Sequence, residues 1–284
     1  MILIITNRTD VTTDFIVNEL RRRGLAFTRF NTDEYPINID GTFETGSNNK
    51  FNSYLYFKDR NKLINLSRIN AILYRRPVPP VPDKSISNES IRKFCIDESY
   101  DFIRGLWLSI DGFWISSPES IRKAEHKIYQ LSFAQKCGFL IPKTIITNTP
   151  NDLKRFIETT EQRIIIKPLY SGFIKEEQDE PLMIYTTIID KTDINEIENI
   201  SYAPSIFQEY IDKEFDVRVT IVGNTVFSAR IDSHNLPQNI PDWRFADLEN
   251  LDHSIYPLPE EIKYSCLQLV RNLNLEFGGY IKFS

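Results

Sequence analysis

Residues 208–223 read Q-E-Y-I-D-K-E-F-D-V-R-V-T-I-V-G, and the order of chemistry along them decides the fold. Gln208, Glu209, Tyr210 and Ile211 close a short strand that opens at Phe207. From Phe215 to Val222 charged and apolar side chains alternate, so a strand puts Asp216, Arg218 and Thr220 on one face and Val217, Val219 and Ile221 on the other. Gly223-Asn224 then suits a two-residue hairpin into Val226 to Ile231. An acid and a base two residues apart on one face have two uses. They brace each other, or they line a polar cleft in which Asp216 accepts from hydroxyls and the planar fork of Arg218 holds phosphate oxygens.

Upstream, I-I-I-K-P at residues 164–168 is an apolar strand ended by proline. Alternation puts Ile164 and Ile166 on one face and Ile165 and Lys167 on the other, leaving an ammonium at the end of an otherwise buried strand. A second lysine, Lys127, lies at the edge of the apolar stripe Ile121, Ala124, Ile128 and Leu131 of a helix opened by S-S-P-E and ended at Cys137-Gly138. Each lysine either meets an anion or snorkels into solvent. Between them and the 208–223 stretch, Phe173 to Tyr185 flank K-E-E-Q-D-E-P, which predicts a hairpin with an acidic tip.

The N-terminal part has a different style. Ile2 to Ile5, Val11 to Arg23 and Ala26 to Phe30 read as strand, helix, strand, the opening of a parallel α/β layer. T-N-R-T-D follows the first strand where G-x-G-x-x-G would have to sit, which argues against a nucleotide at that turn. Residues 38–62 are rich in Asn, Gly and Ser and read as a polar hairpin or edge excursion, and Ile69 to Tyr74 as a further strand. Y-R-R-P-V-P-P-V-P follows directly, a stiff connection whose Arg75 and Arg76 either grip an anion or stand as solvated charges. Helical spacing from Ser87 to Ile110 predicts a long helix covering the sheet, and the change of style after it places a domain boundary near Pro118. We therefore expect an α/β domain over 1–118, a central part over 119–205 and a C-terminal part over 206–284.

Composition excludes several classes. Hydrophobic residues at 41% and charged residues at 26% are globular values, which argues against disorder. A net charge of −5 argues against broad binding to nucleic acid or to an anionic membrane. Cys95, Cys137 and Cys266 are odd in number and far apart, with neither a disulfide framework nor a zinc pattern. With no signal peptide or membrane-length apolar run, the expected setting is the cytoplasm.

A lysine on a helix, a lysine-proline strand end, a Gln-Glu-aromatic-Ile segment and Asp-x-Arg before a glycine-turned hairpin, in that order, resemble the ATP-grasp fold. Y-R-R-P-V-P-P, I-I-K-P-L-Y-S-G-F-I, I-Y-T-T, the I-D-S after the hairpin and D-W-R-F-A-D-L-E-N at 242–250 are similar to one branch of it, the microviridin-type ligases that make graspetides. The likeness runs from Met1 to Gly278. It implies a pre-ATP-grasp Rossmann-like domain, then central and C-terminal grasp subdomains, with ATP and Mg²⁺ as cofactors. It implies that Lys127 and Lys167 hold phosphates and that Gln208, Glu209, Tyr210 and Ile211 form the adenine segment. Asp216 then serves the ribose, and Arg218 and Arg244 the reacting phosphoryl group, although an arginine at 244 is also an ordinary surface residue. It further implies a ribosomal precursor peptide as partner, its leader on Phe173, Glu176, Glu177, Tyr185, Asp193 and Glu196, unless that acidic face merely solubilises, and a homodimer. The activity implied is macrocyclisation, in which an Asp or Glu side chain is phosphorylated and a Ser, Thr or Lys side chain displaces the phosphate.

The family pattern also predicts a last aspartate-bearing strand followed by a Glu-x-Asn strand, whose side chains hold Mg²⁺. Here L-N-L-E-F-G-G-Y-I-K-F-S, residues 273–284, occupies the aspartate strand, with Lys282 in the acid's register. Three expectations follow: a truncated chain, a defective enzyme, or a metal supported by another carboxylate or by the peptide. Two alternatives stand beside the macrocyclase, namely a grasp-fold module that binds precursor or nucleotide without chemistry, and a carboxylate-amine ligase acting on amino acids or a protein C-terminus.

Overall fold

Apolar strands that alternate with one-sided helices bury themselves by layering helices on a sheet, and both halves of the chain do this in different ways. The computed structural model describes residues 1–46, 51–174, 182–189, 193–232 and 251–283. It divides into Met1–Pro118 and Glu119–Ser284.

In the first unit, β1 (Ile2–Thr6), α1 (Val11–Arg22) and β2 (Phe27–Asn31) make the opening crossover. Gly24, at φ +65°, ends the helix where a side chain would be strained. Next come β3 (Ile39–Thr45), β4 (Phe51–Phe57), β5 (Lys62–Asn65), β6 (Ala71–Tyr74), α2 (Glu89–Leu108) and β7 (Phe113–Ile115). The sheet order β2-β1-β6-β7 is parallel throughout. The side chain of Asn88 caps α2 by accepting from the Ile91 amide at 3.1 Å. The helix lays Ile103, Leu106 and Trp107 onto Leu3, Ile5, Phe30 and Ile72, with Trp107 and Phe30 edge-on at 4.8 Å. The proline-rich segment has neither helix nor ladder strand, as its missing donors require. It is tied down where the Val78 amide donates to Thr32 Oγ1 at 2.9 Å and the Val81 amide to the Tyr35 carbonyl at 3.1 Å.

Residues 38–62 include the expected hairpin, β3 against β4, but one that is not wholly polar. They build β3, β4 and part of β5 into an antiparallel three-stranded sheet, in which Leu55 and Phe57 are fully buried. Alternation places these two apolar residues on one face, a signal that the Asn, Gly and Ser content of the segment hides.

The second unit opens with α3 (Pro118–Glu125) and α4 (Lys127–Lys136), then β8 (Thr144–Thr147), α5 (Pro150–Glu158), β9 (Ile164–Lys167), β10 (Phe173–Ile174), β11 (Leu182–Met183) and β12 (Thr187–Ile189). A 3-10 helix, Asp193–Tyr202, leads to β13 (Ser205–Glu209), β14 (Asp216–Val222), β15 (Thr225–Ile231), β16 (His253–Ile255), α6 (Glu260–Asn272) and β17 (Phe277–Phe283). Two antiparallel four-stranded sheets result, β12-β9-β13-β8 and β16-β15-β14-β17. The first buries Ile164 and Phe207 against Leu153, Phe156 and Ile157 of α5 and Ile197 of the 3-10 helix. The second buries Val217, Val219 and Ile221 against Cys266 and Val270 of α6. The register between β14 and β17 shifts between Arg218 and Thr220, next to Gly278-Gly279 on the partner strand, and a Cβ on Gly278 would come within 3.1 Å of Val270 Cγ2. Among the described residues no helix is long and apolar enough to cross a membrane.

Candidate functional site

The register of the first grasp sheet sorts its side chains. Gln208 stands opposite Thr144 on one side and Ile165 on the other, and Ile206 stands opposite Lys167. Thr144, Ile165, Lys167, Ile206 and Gln208 therefore share the face turned away from α5. Three strands meet there in one polar chain. Lys167 Nζ donates to Gln208 Oε1 at 2.7 Å, Gln208 Nε2 donates to Thr144 Oγ1 at 2.7 Å, and the Thr144 hydroxyl donates to the Pro142 carbonyl at 2.6 Å. Gln208 is buried.

The strand end beyond Gln208 is fixed through its backbone. The Glu209 amide donates to the Lys143 carbonyl at 2.9 Å and the Tyr210 amide to the Arg163 carbonyl at 2.8 Å. The Arg163 guanidinium lies over the Tyr210 ring at 4.4 Å, a cation–π contact that holds the aromatic in place. Ile211 follows, partly exposed.

The loop leaving this segment contains a residue that sequence reasoning missed. Lys213 Nζ donates to Asp216 Oδ2 at 2.5 Å, with side chains 12% and 2% exposed. Asp216 thus sits in a buried ion pair at the start of β14, while Arg218, two residues on, is exposed. The i, i+3 spacing of Lys213 and Asp216 was the available signal, obscured because D-K-E reads as a solvated loop. Arg230 and Asp232 make a second pair at 2.7 Å, with the Arg230 guanidinium 4.0 Å from the Phe215 ring centroid.

Lys127 stands elsewhere than expected. The predicted single helix is two, broken at His126, whose ψ of 113° is extended, so Lys127 opens α4. Gln130 mends the break, its Nε2 donating to the Ala124 carbonyl and its amide to the His126 carbonyl. Gln130 Oε1 in turn lies 3.4 Å from Lys127 Nζ. The predicted apolar stripe holds at Ala124, which is buried, and fails at Ile128, which is exposed.

The β10–β11 hairpin pairs Phe173 with Met183 and Ile174 with Leu182. Its described residues Phe173, Ile174, Leu182 and Met183 are exposed and apolar, and the acidic tip expected at 175–181 lies outside the described residues. Tyr185 is half-buried beyond it, and Asp193 and Glu196 lie in the 3-10 helix. Glu176, Glu177 and Arg244 fall outside the described residues.

In the first unit Arg75 is engaged with Asp10 at 3.1 Å, the side chains 17% and 2% exposed. Burial alone would raise the Asp10 carboxyl, but hydrogen bonds from Thr13 and Thr6 and the Arg75 guanidinium outweigh it and hold the group below its ordinary value. Arg76 is exposed, at φ +46°, and its carbonyl accepts from Asn7 Nδ2 at 2.6 Å. Of the two arginines, the structure commits Arg75 to an internal acid.

Residues 1–122 match the MvdD pre-ATP grasp domain. Macrocyclase MdnC from Microcystis aeruginosa MRC, solved with its precursor peptide MdnA, aligns at 28% identity over 98% of this chain and 86% of that one, with a TM-score of 0.85. Residues 1–122 thus resemble an MvdD-type pre-ATP-grasp domain, and the chain as a whole is similar to the graspetide ATP-grasp ligases. An ATP-grasp ligase associated with ribosomal peptide modification in Chryseobacterium gregarium, solved with ADP and a leader and core peptide, aligns with this chain at 27% identity over 98% of this chain and 83% of that one, with a TM-score of 0.90. The ATP-grasp ligase PsnB, solved with a phosphomimetic variant of its minimal precursor, Mg and ADP, shares the fold at 21% identity over 98% of this chain and 83% of that one, with a TM-score of 0.73. No curated protein sequence matches the chain.

Proposed function

We propose that this chain macrocyclises a ribosomal precursor peptide at the expense of ATP. The observation that supports the reading most is the likeness over 98% of the chain to a macrocyclase solved with its precursor peptide, together with a lysine held by Gln208 on the face of the first grasp sheet opposite α5. We assign residues 119–205 and 206–284 to the central and C-terminal grasp subdomains.

A phosphate ligand fits the donors present. Lys167 and Lys127 supply ammonium groups, Gln208 to Ile211 a backbone edge for adenine, Asp216 an acceptor for the ribose, and Arg218 and Arg244 cationic forks beside the transferred phosphoryl group. In the proposed reaction an Asp or Glu carboxylate of the peptide takes the γ-phosphoryl group and ADP leaves. A Ser or Thr hydroxyl, or a Lys amine, then attacks the acyl carbon and phosphate departs, so each crosslink removes one water overall. Charge stabilisation by these cations carries the catalysis, because the transferred group is an anion with little covalent help from the protein. Mg²⁺ would neutralise phosphate oxygens when bound; among the described residues no three His, Cys, Asp or Glu side chains are grouped to hold it, and no step here is routed through it.

The leader is assigned to the hairpin at Phe173, Glu176, Glu177 and Tyr185 and to Asp193 and Glu196. Apolar side chains flanking an acidic tip suit a segment that mixes apolar and basic residues. Incubating the purified chain with ATP, Mg²⁺ and the small peptide encoded beside it tests the whole reading by mass spectrometry. Loss of one water per crosslink is expected. Peptide binding with no mass change would favour the module without chemistry, and ligation of a free amino acid instead would favour the carboxylate-amine ligase.

A further inference from the structure

Both candidate phosphate lysines are held by the same device. Lys167 donates to the carbonyl oxygen of Gln208 at 2.7 Å, and Lys127 lies 3.4 Å from that of Gln130. In each case the other end of the carboxamide is already tied down, Gln208 Nε2 to Thr144 Oγ1 at 2.7 Å and Gln130 Nε2 to the Ala124 carbonyl. That second bond decides which way the amide faces, because an NH₂ group turned toward an ammonium would set donor against donor. Thr144 is fixed in turn by donating to the Pro142 carbonyl at 2.6 Å, so its oxygen is left to accept.

The chemistry of the anchor matters. A carboxylate in place of Gln208 would grip the ammonium more tightly and cancel its charge, leaving less attraction for a phosphate. A carboxamide accepts a hydrogen bond and brings no negative charge. We infer that Gln208 and Gln130 are neutral anchors that aim Lys167 and Lys127 at the polyphosphate, and that Thr144 is the positioning residue that orients Gln208. This rests on the nucleotide reading above and gives the Gln208 side chain a role in lysine placement beside the backbone role of its segment toward adenine.

The test separates polyphosphate from nucleoside recognition by titrating ADP and adenosine into the same folded samples. Gln208→Glu is expected to weaken ADP at least tenfold and to leave adenosine unchanged within twofold. Thr144→Val is expected to weaken ADP about threefold to tenfold, with Thr144→Ser, which keeps the hydroxyl, restoring it. Gln130→Glu is expected to act in the same direction as Gln208→Glu. Unchanged ADP affinity in Gln208→Glu, or equal loss of ADP and adenosine, overturns the inference while leaving the nucleotide site standing. If Gln208→Glu does not fold, the Thr144 pair decides, since neither variant adds a charge: equal ADP affinities for Val and Ser overturn the inference. A folded wild-type chain that binds neither ligand overturns the nucleotide reading and this inference together.

Discussion

Lys213→Met is the substitution whose cost the structure sets most sharply. The pair it breaks has Nζ and Oδ2 2.5 Å apart and side chains 12% and 2% exposed. At an effective dielectric constant of about 20, the gross attraction at that distance is roughly 7 kcal/mol. Most of it is offset by the desolvation of both ions, so the intact pair adds little against an apolar equivalent. Removing one partner is another matter, because the Asp216 carboxylate stays buried without Lys213, at a cost of about 3–5 kcal/mol. With a urea slope of about 2 kcal/mol/M, the unfolding midpoint of the second unit should fall by about 1.5–2.5 M. Removing both charges in Lys213→Met/Asp216→Leu should recover most of that loss. Equilibrium urea unfolding followed by the far-UV signal reads both variants. A single-variant shift below about 0.5 M, or a double variant no more stable than the single, would refute the argument that burial makes this pair indispensable only as a pair.

Three further outcomes are expected. Gly172→Ala would place a Cβ 2.2 Å from the Ile184 carbonyl oxygen, so it should displace the β10–β11 hairpin and weaken leader-peptide binding about tenfold or more, roughly 1.4 kcal/mol, with ADP affinity unchanged. Because Asp10 has a folded pKa below its unfolded value of about 3.9, its contribution to stability is present above that value and is lost as pH falls through the lower folded one. Urea midpoints measured from pH 6 to pH 2 should show that acid limb shrinking in Arg75→Met. Burial pushes the Cys266 thiol up to about 12, so iodoacetamide at pH 8 should alkylate the half-buried Cys95 and Cys137 in the native chain and spare Cys266 until urea is added.

The elements most legible in the sequence were those whose period is short and whose partners are close. The hairpin through Gly223-Asn224 stands as read, because turn chemistry and alternation over Asp216–Ile231 fix it locally. The same alternation placed Ile164 and Ile166 in the core and Lys167 opposite them. What could not be read depended on side chains finding distant partners. The break at His126 rests on Gln130 reaching back six residues to the Ala124 carbonyl, and helical periodicity runs across such a break unmarked. The anchoring of Lys167 needs Gln208 and Thr144 from two other strands, a meeting that only the sheet order creates. Arg75 gave an ambiguous signal for the same reason: its acid, Asp10, lies 65 residues away in the chain. For Asp216, alternation gave the strand face but not the burial, which comes with Lys213.

Calorimetric titration of ADP into the purified chain, with and without Mg²⁺, decides whether this grasp fold binds a nucleotide through Lys167. Saturable one-site binding is expected, strengthened by Mg²⁺ and reduced about tenfold or more, roughly 1.5–3 kcal/mol for a lost charge-assisted hydrogen bond, in Lys167→Met. No heat from a folded wild-type sample, or equal affinity in Lys167→Met, would contradict it.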